Sequence, residues 1–118
     1  MELQQLRDEE HLAVIRQLEE AVIYKHGPMC WAGMVAHRHV RRFAARHPDV
    51  PVFIVDAVAQ RALARHIASV FEIRHESPQA IFLVSGRPVW HASHYRVTGS
   101  ALEQVAEEER KLPTNTVS

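Results

Sequence analysis

The sequence predicts an α/β domain built on a four-stranded mixed sheet with helices on both faces. Three observations lead there. Short apolar runs alternate with longer stretches of helical periodicity, in the order α-β-α-β-α-β-β-α. The last two apolar runs flank Ser85-Gly86-Arg87-Pro88, the mark of a hairpin with a four-residue connection. Composition is that of a packed globule: 47% of the 118 residues are hydrophobic and 24% charged, enough for one core without staples.

Each element has its own signals. Asp8 caps a first helix, Glu9 and Glu10 suit its positive end, and Leu12, Ile15, Leu18 and Val22 follow helical spacing. Ala21–Tyr24 is a short apolar run ahead of Gly27-Pro28 and predicts a buried strand. After Cys30, residues Ala32, Val35, Ala36, Val40, Phe43 and Ala44 make one helical stripe, and His47-Pro48-Asp49 stops it. Val52–Val55 is apolar throughout, as in a sheet covered on both sides. Asp56 turns the chain into a third helix facing inward through Leu63, Ile67 and Val70. Phe71–His75 leads back to the sheet, and Ser77-Pro78 punctuates it before the strands Ala80–Val84 and Val89–Ala92. A last helix starts near Thr98, with Ser100–Glu103 as a capping box and Leu102, Val105 and Ala106 inside. The expectation is one domain over 1–112 and a flexible tail over 113–118.

The charge balance narrows the function. Fourteen Lys and Arg offset fourteen Asp and Glu, so a general nucleic-acid grip is not expected. No apolar run approaches the roughly 18–20 residues of a membrane span, and the N-terminus carries no secretory h-region. Cys30 is the single cysteine and cannot close an internal disulfide. These features predict a cytoplasmic, reducing setting.

Cys30 stands where a strand hands over to a helix. Free N–H groups and the dipole at a helix start favour thiolate over thiol, the species that attacks disulfides. Lys25 and His26 are close in sequence and would add positive charge. His75, ahead of Ser-Pro, is a further candidate for tuning the thiolate, against a plain structural reading for each histidine. Three residues after Cys30 stands Gly33, so another molecule must resolve any mixed disulfide formed here. A free cysteine packed as a small hydrophobe is the alternative.

Three segments together resemble a known family: Ile23-Tyr-Lys-His-Gly-Pro-Met-Cys30, His75-Glu-Ser-Pro-Gln79 and Trp90-His-Ala-Ser-His94. They look like the monothiol bacilliredoxins, redox proteins of the thioredoxin superfamily that serve the bacillithiol system. The similarity runs from about Asp8 to Arg110 by element order. It implies a thioredoxin-like fold with an added N-terminal helix, Cys30 as nucleophile and Pro78 as the cis-proline facing it. It implies removal of bacillithiol, the co-substrate, from S-thiolated client proteins, with no bound cofactor. Ser77, Pro78 and Trp31 would then form the surface on which substrates rest. The chain departs from the family's usual Thr-Cys-Pro-Ile-Ser: it has Met29-Cys30-Trp31-Ala32-Gly33, and Gly33 offers no side-chain donor to sulfur.

The nine histidines invite a metal reading that their spacing does not favour. His37 and His39 point to different helix faces, and His91 and His94 lack a local third ligand. Arg38, Arg41, Arg42 and Arg46 would suit the carboxylates of bacillithiol or of an acidic partner, although a solvated helix face explains them more simply. Two functions follow. One is a monothiol thiol–disulfide oxidoreductase; the other is a thioredoxin-like docking module with weakened redox activity.

Overall fold

The computed structural model describes residues 2–111. In chain order the elements are β1 (Gln4–Gln5), α1 (Glu9–Ile15), β2 (Glu20–His26), α2 (Trp31–Arg46), β3 (Val52–Asp56), α3 (Arg61–Phe71), β4 (Gln79–Val84), β5 (Arg87–Ser93), a 3₁₀ turn (His94–Arg96) and α4 (Gly99–Lys111). The sheet has five strands, ordered β1-β3-β2-β4-β5. Strands β1, β3 and β2 run parallel, and β4 and β5 run antiparallel to their neighbours.

Strand alternation divides the core into two layers. Val22, Tyr24, Val52, Ala80 and Phe82 face α2 and α4, meeting Val40, Phe43 and Leu102. Ala21, Ile23, Phe53, Val55, Ile81 and Leu83 face α1 and α3, meeting Leu12, Ile15, Leu63 and Ile67. Strand β2 is central and carries the chain directly to Cys30.

Several expectations are corrected. The fifth strand, β1, is two exposed glutamines pairing with Phe53 and Ile54, too short and polar to show in apolar patterning. Helix α1 stops at Ile15, because i→i−3 bonds from Gln17 and Leu18 close it and the chain turns into β2. Leu18 is left exposed, and Val22 belongs to β2. The hairpin connection is two residues, not four: Val84 pairs with Arg87 across Ser85-Gly86, both at positive φ. Pro88 is tolerated inside β5 because β5 is an edge strand. The Ser100–Glu103 box does not form. Thr98 Oγ1 accepts the Ala101 N–H at 3.2 Å as the cap, and Glu103 bonds His47 Nε2 at 3.2 Å instead. The tail expected over 113–118 lies outside the described residues.

Candidate active site

Cys30 is the N-cap of α2, with extended backbone (φ −127°, ψ 154°). A helix start leaves N–H groups without intrahelical partners, and a cap side chain takes one of them. Here the cap atom is sulfur: the Gly33 N–H donates to Cys30 Sγ at 3.2 Å. The thiol in turn lies 3.7 Å from the Gly27 carbonyl oxygen, which also accepts the Cys30 N–H at 3.4 Å. Cys30 is exposed. The donor that position 33 offers the sulfur is its main-chain N–H. Position 33 is also closed to larger residues, because a Cβ there would overlap the Gly27 carbonyl.

The second loop meets the first through Gly27. The Ser77–Pro78 peptide bond is cis. A Cβ at Gly27 would come within 3.2 Å of Ser77 Oγ and 3.5 Å of the Pro78 nitrogen, so the loops are in main-chain contact. The Pro78 carbonyl accepts the His94 N–H at 2.8 Å, which fixes the Trp90–His94 segment beside it. Around the thiol, Met29, Trp31 and Met34 are 85%, 70% and 59% exposed, a concentration of apolar surface that folding alone does not require.

Lys25 and His26, adjacent in sequence, go to opposite faces of the sheet, as strand alternation demands. His26 faces α2. Its Nδ1 bonds the Tyr24 hydroxyl at 2.8 Å, and its ring lies 4.5 Å from that of His37. Burial holds His26 below its ordinary range, with Asp56 opposing. Burial also lowers His37, helped by His26 and Arg41. Burial, then the neighbouring Cys30, pushes the Tyr24 phenol well up. Lys25 faces α3, fully buried, with its Nζ 3.2 Å from His75 Nδ1. Burial, then Arg65, lowers it from 10.5 to about 8. Burial, then Lys25 and Arg65, lowers His75. Lys25 and His26 therefore stand on opposite faces, and neither hydrogen-bonds the sulfur, whose partners are Gly27 and Gly33.

Sequence reasoning missed Tyr24, His37 and Gln79 as neighbours of the site. The first was readable, since residues 22, 24 and 26 share the α2 face of one strand. Gln79 is buried beside Lys25 in register, and its Nε2 donates to the Arg74 carbonyl at 2.9 Å and to Ser93 Oγ at 3.3 Å. Elsewhere, His39 Nδ1 accepts the Gly99 N–H at 3.1 Å. His47 stacks on Phe43 at 4.6 Å. Among the described residues, no three metal-ligating side chains converge.

A family model described as monothiol bacilliredoxin BrxC matches residues 2–102. The chain belongs to the monothiol bacilliredoxin family. Solved structures share the architecture. A thioredoxin-fold protein matches with TM-score 0.82 and 24% identity, over 88% of this chain and 93% of that one. Thioredoxin from Trypanosoma brucei brucei matches at 0.76 and 19%, over 93% and 92%. A mutant thioredoxin from Halobacterium salinarum NRC-1 matches at 0.75 and 17%, over 95% and 94%. At these identities the likeness is one of fold. This bacilliredoxin-family chain has a role of the thiol–disulfide oxidoreductase kind, and it contains one cysteine.

Proposed function

We propose that the protein removes a low-molecular-weight thiol, bacillithiol, from mixed disulfides on client proteins, with Cys30 as nucleophile. The observation that carries this reading is the exposed Cys30 sulfur capping α2, with the Gly33 N–H aimed at it from 3.2 Å. A donor so placed faces the charge of a thiolate. The Cys30 thiolate attacks the small-thiol sulfur of the mixed disulfide. That bond forms as the client disulfide breaks, and the client leaves as a thiolate. Cys30 then carries the small thiol. A second small thiolate attacks the adduct, releases the symmetrical disulfide and restores Cys30, with no electrons left over. Trp31, Ser77 and Pro78 form the resting surface for the client, and Lys25, His26 and His75 act behind it.

Exposure to oxidised bacillithiol, followed by intact-mass measurement, is the test. One adduct is expected on the wild type and none on Cys30→Ser. A wild-type thiol left unmodified at mildly alkaline pH overturns the reading and leaves the docking-module function.

A further inference from the structure

Helix α2 carries four arginines, two histidines and no acidic residue in 16 residues. A helix face built only to be wet mixes both signs, as α4 does with Glu103, Glu107, Glu108, Glu109, Arg110 and Lys111. Among the described residues, Arg46 alone of the α2 set has a counter-ion, Glu103 at 3.5 Å. Among the described residues no carboxylate lies within 4 Å of Arg38, Arg41 or Arg42. Glu2 lines a second groove with Arg41 and Arg42, with no ion pair within 4 Å.

The placement of these charges is specific. Cys30, Met34, His37, Arg38 and Arg41 are spaced i, i+4, i+7, i+8 and i+11, one stripe along the helix. Met34, His37, Arg38 and Arg41 line a groove of about 360 Å³. At about 1.5 Å per residue, Arg38 and Arg41 lie roughly 12 and 16 Å from the thiol along the helix. An extended chain rises about 3.3 Å per residue, so about four or five residues span that distance. The exposed Met34, which lies between Cys30 and Arg38 on this stripe, would cover an intervening apolar side chain.

We infer that the α2 stripe is a client-selecting surface: it takes an extended protein segment whose reacting cysteine lies over Cys30 and whose acidic side chain, about four or five residues away, lies over Arg38 and Arg41. The inference rests on Cys30 being the attacking thiol and names the kind of client it attacks. Unneutralised arginines pair with a carboxylate without first breaking an internal bond. Charge of this sort chooses between partners and speeds encounter more than it deepens affinity.

The test uses the full chain and short peptides whose single cysteine carries a thiopyridine disulfide. The activated disulfide directs Cys30 onto the peptide's own sulfur and releases thiopyridone, read by absorbance, so the rate reports how the segment seats over Cys30 and not which sulfur is attacked in a natural client's mixed disulfide. The peptides place Asp, Asn or Lys four or five residues from cysteine, and each rate is divided by that for an uncharged small disulfide. The Asp peptide is expected to react about tenfold faster than the Lys peptide at low salt. The ratio should fall towards one in Arg38→Ala/Arg41→Ala, and in wild type at about 1 M salt. Equal rates for the three peptides overturn the inference alone. So does a preference found only for mercaptosuccinate carried as its thiopyridine disulfide, which would assign the groove to a small dicarboxylate thiol. No reaction with any disulfide overturns the proposed function and this inference with it.

Discussion

Lys25 Nζ and His75 Nδ1 meet at 3.2 Å, joining the strand that leads to Cys30 with the loop that leads to Pro78. Lys25 is fully buried, and among the described residues no carboxylate pairs with it. Burial, then Arg65, holds its pKa at about 8 against 10.5. The unfolded chain therefore holds more protons between those values, and stability rises with pH across that window. Below it the full cost of the buried cation is felt. Lys25→Met, similar in volume and apolar, should unfold at higher urea than wild type at pH 7, by on the order of 2 kcal/mol. The margin should narrow between pH 8 and 10. Urea titrations at three pH values check this. A variant weaker than wild type throughout would make the bond to His75 a net gain.

The same substitution separates stability from positioning. It removes the bond that ties residue 75 to β2 and leaves the contact of Gly27 with Ser77 unsupported from that side. Loss of one hydrogen bond, about 1 kcal/mol, corresponds to about fivefold in rate. Lys25→Met should lose about that factor in kcat/KM on a peptide mixed disulfide, relative to a small disulfide, while being the more stable protein. An unchanged ratio would show that the Ser77–Pro78 surface holds its place without the bond.

Three histidines around the site are held neutral. Burial is the first cause of the lowered pKa of His26, His37 and His75. Unfolded, each titrates near 6.5, so in mild acid the unfolded chain takes up protons that the native state does not. Stability is therefore lost as pH falls from 6.5 towards the folded values. The urea midpoint should drop between pH 7 and pH 5, and drop less in His37→Leu, whose ring no longer faces His26 at 4.5 Å. A midpoint that stays flat in wild type would contradict the lowered pKa of these histidines.

Periodicity made the two-layer core legible, because Leu12, Val40, Ile67 and Leu102 must each find a covering face. The position of Cys30 was legible for the same reason, since an apolar run followed by a helical stripe leaves one junction between them. Side-chain direction at the site was only half legible. Alternation along β2 separates Lys25 from His26, but nothing local says that Lys25 will find residue 75, fifty positions away. The two-residue β1 was not legible, because it is settled by pairing with the distant β3, nor was the early end of α1, because i→i−3 bonds that leave no mark in apolar spacing close it. The sulfur's donor was hidden by a side-chain view of Gly33, whose contribution is its main-chain N–H.

Gly33 joins fold and chemistry at one atom. A methyl group there would overlap the Gly27 carbonyl and lie 3.4 Å from Cys30 Sγ, and the obstacle is backbone rather than a flexible side chain. The α2 start must then move away from the Gly27 loop, carrying the Gly33 N–H away from sulfur. Gly33→Ala should cost on the order of 2–4 kcal/mol in urea unfolding, despite alanine's better helix propensity. It should also slow Cys30 alkylation measured well below the unfolding transition, where lost stability alone would leave the rate unchanged or raise it. Gly99→Ala is the control within the same fold. Its methyl group would sit an ordinary 3.7 Å from His39 Nδ1, at non-positive φ, so it should shift stability by no more than about 1 kcal/mol and leave alkylation as it was. Equal effects at the two glycines would refute the close approach of α2 to residue 27 as the element that aims the donor.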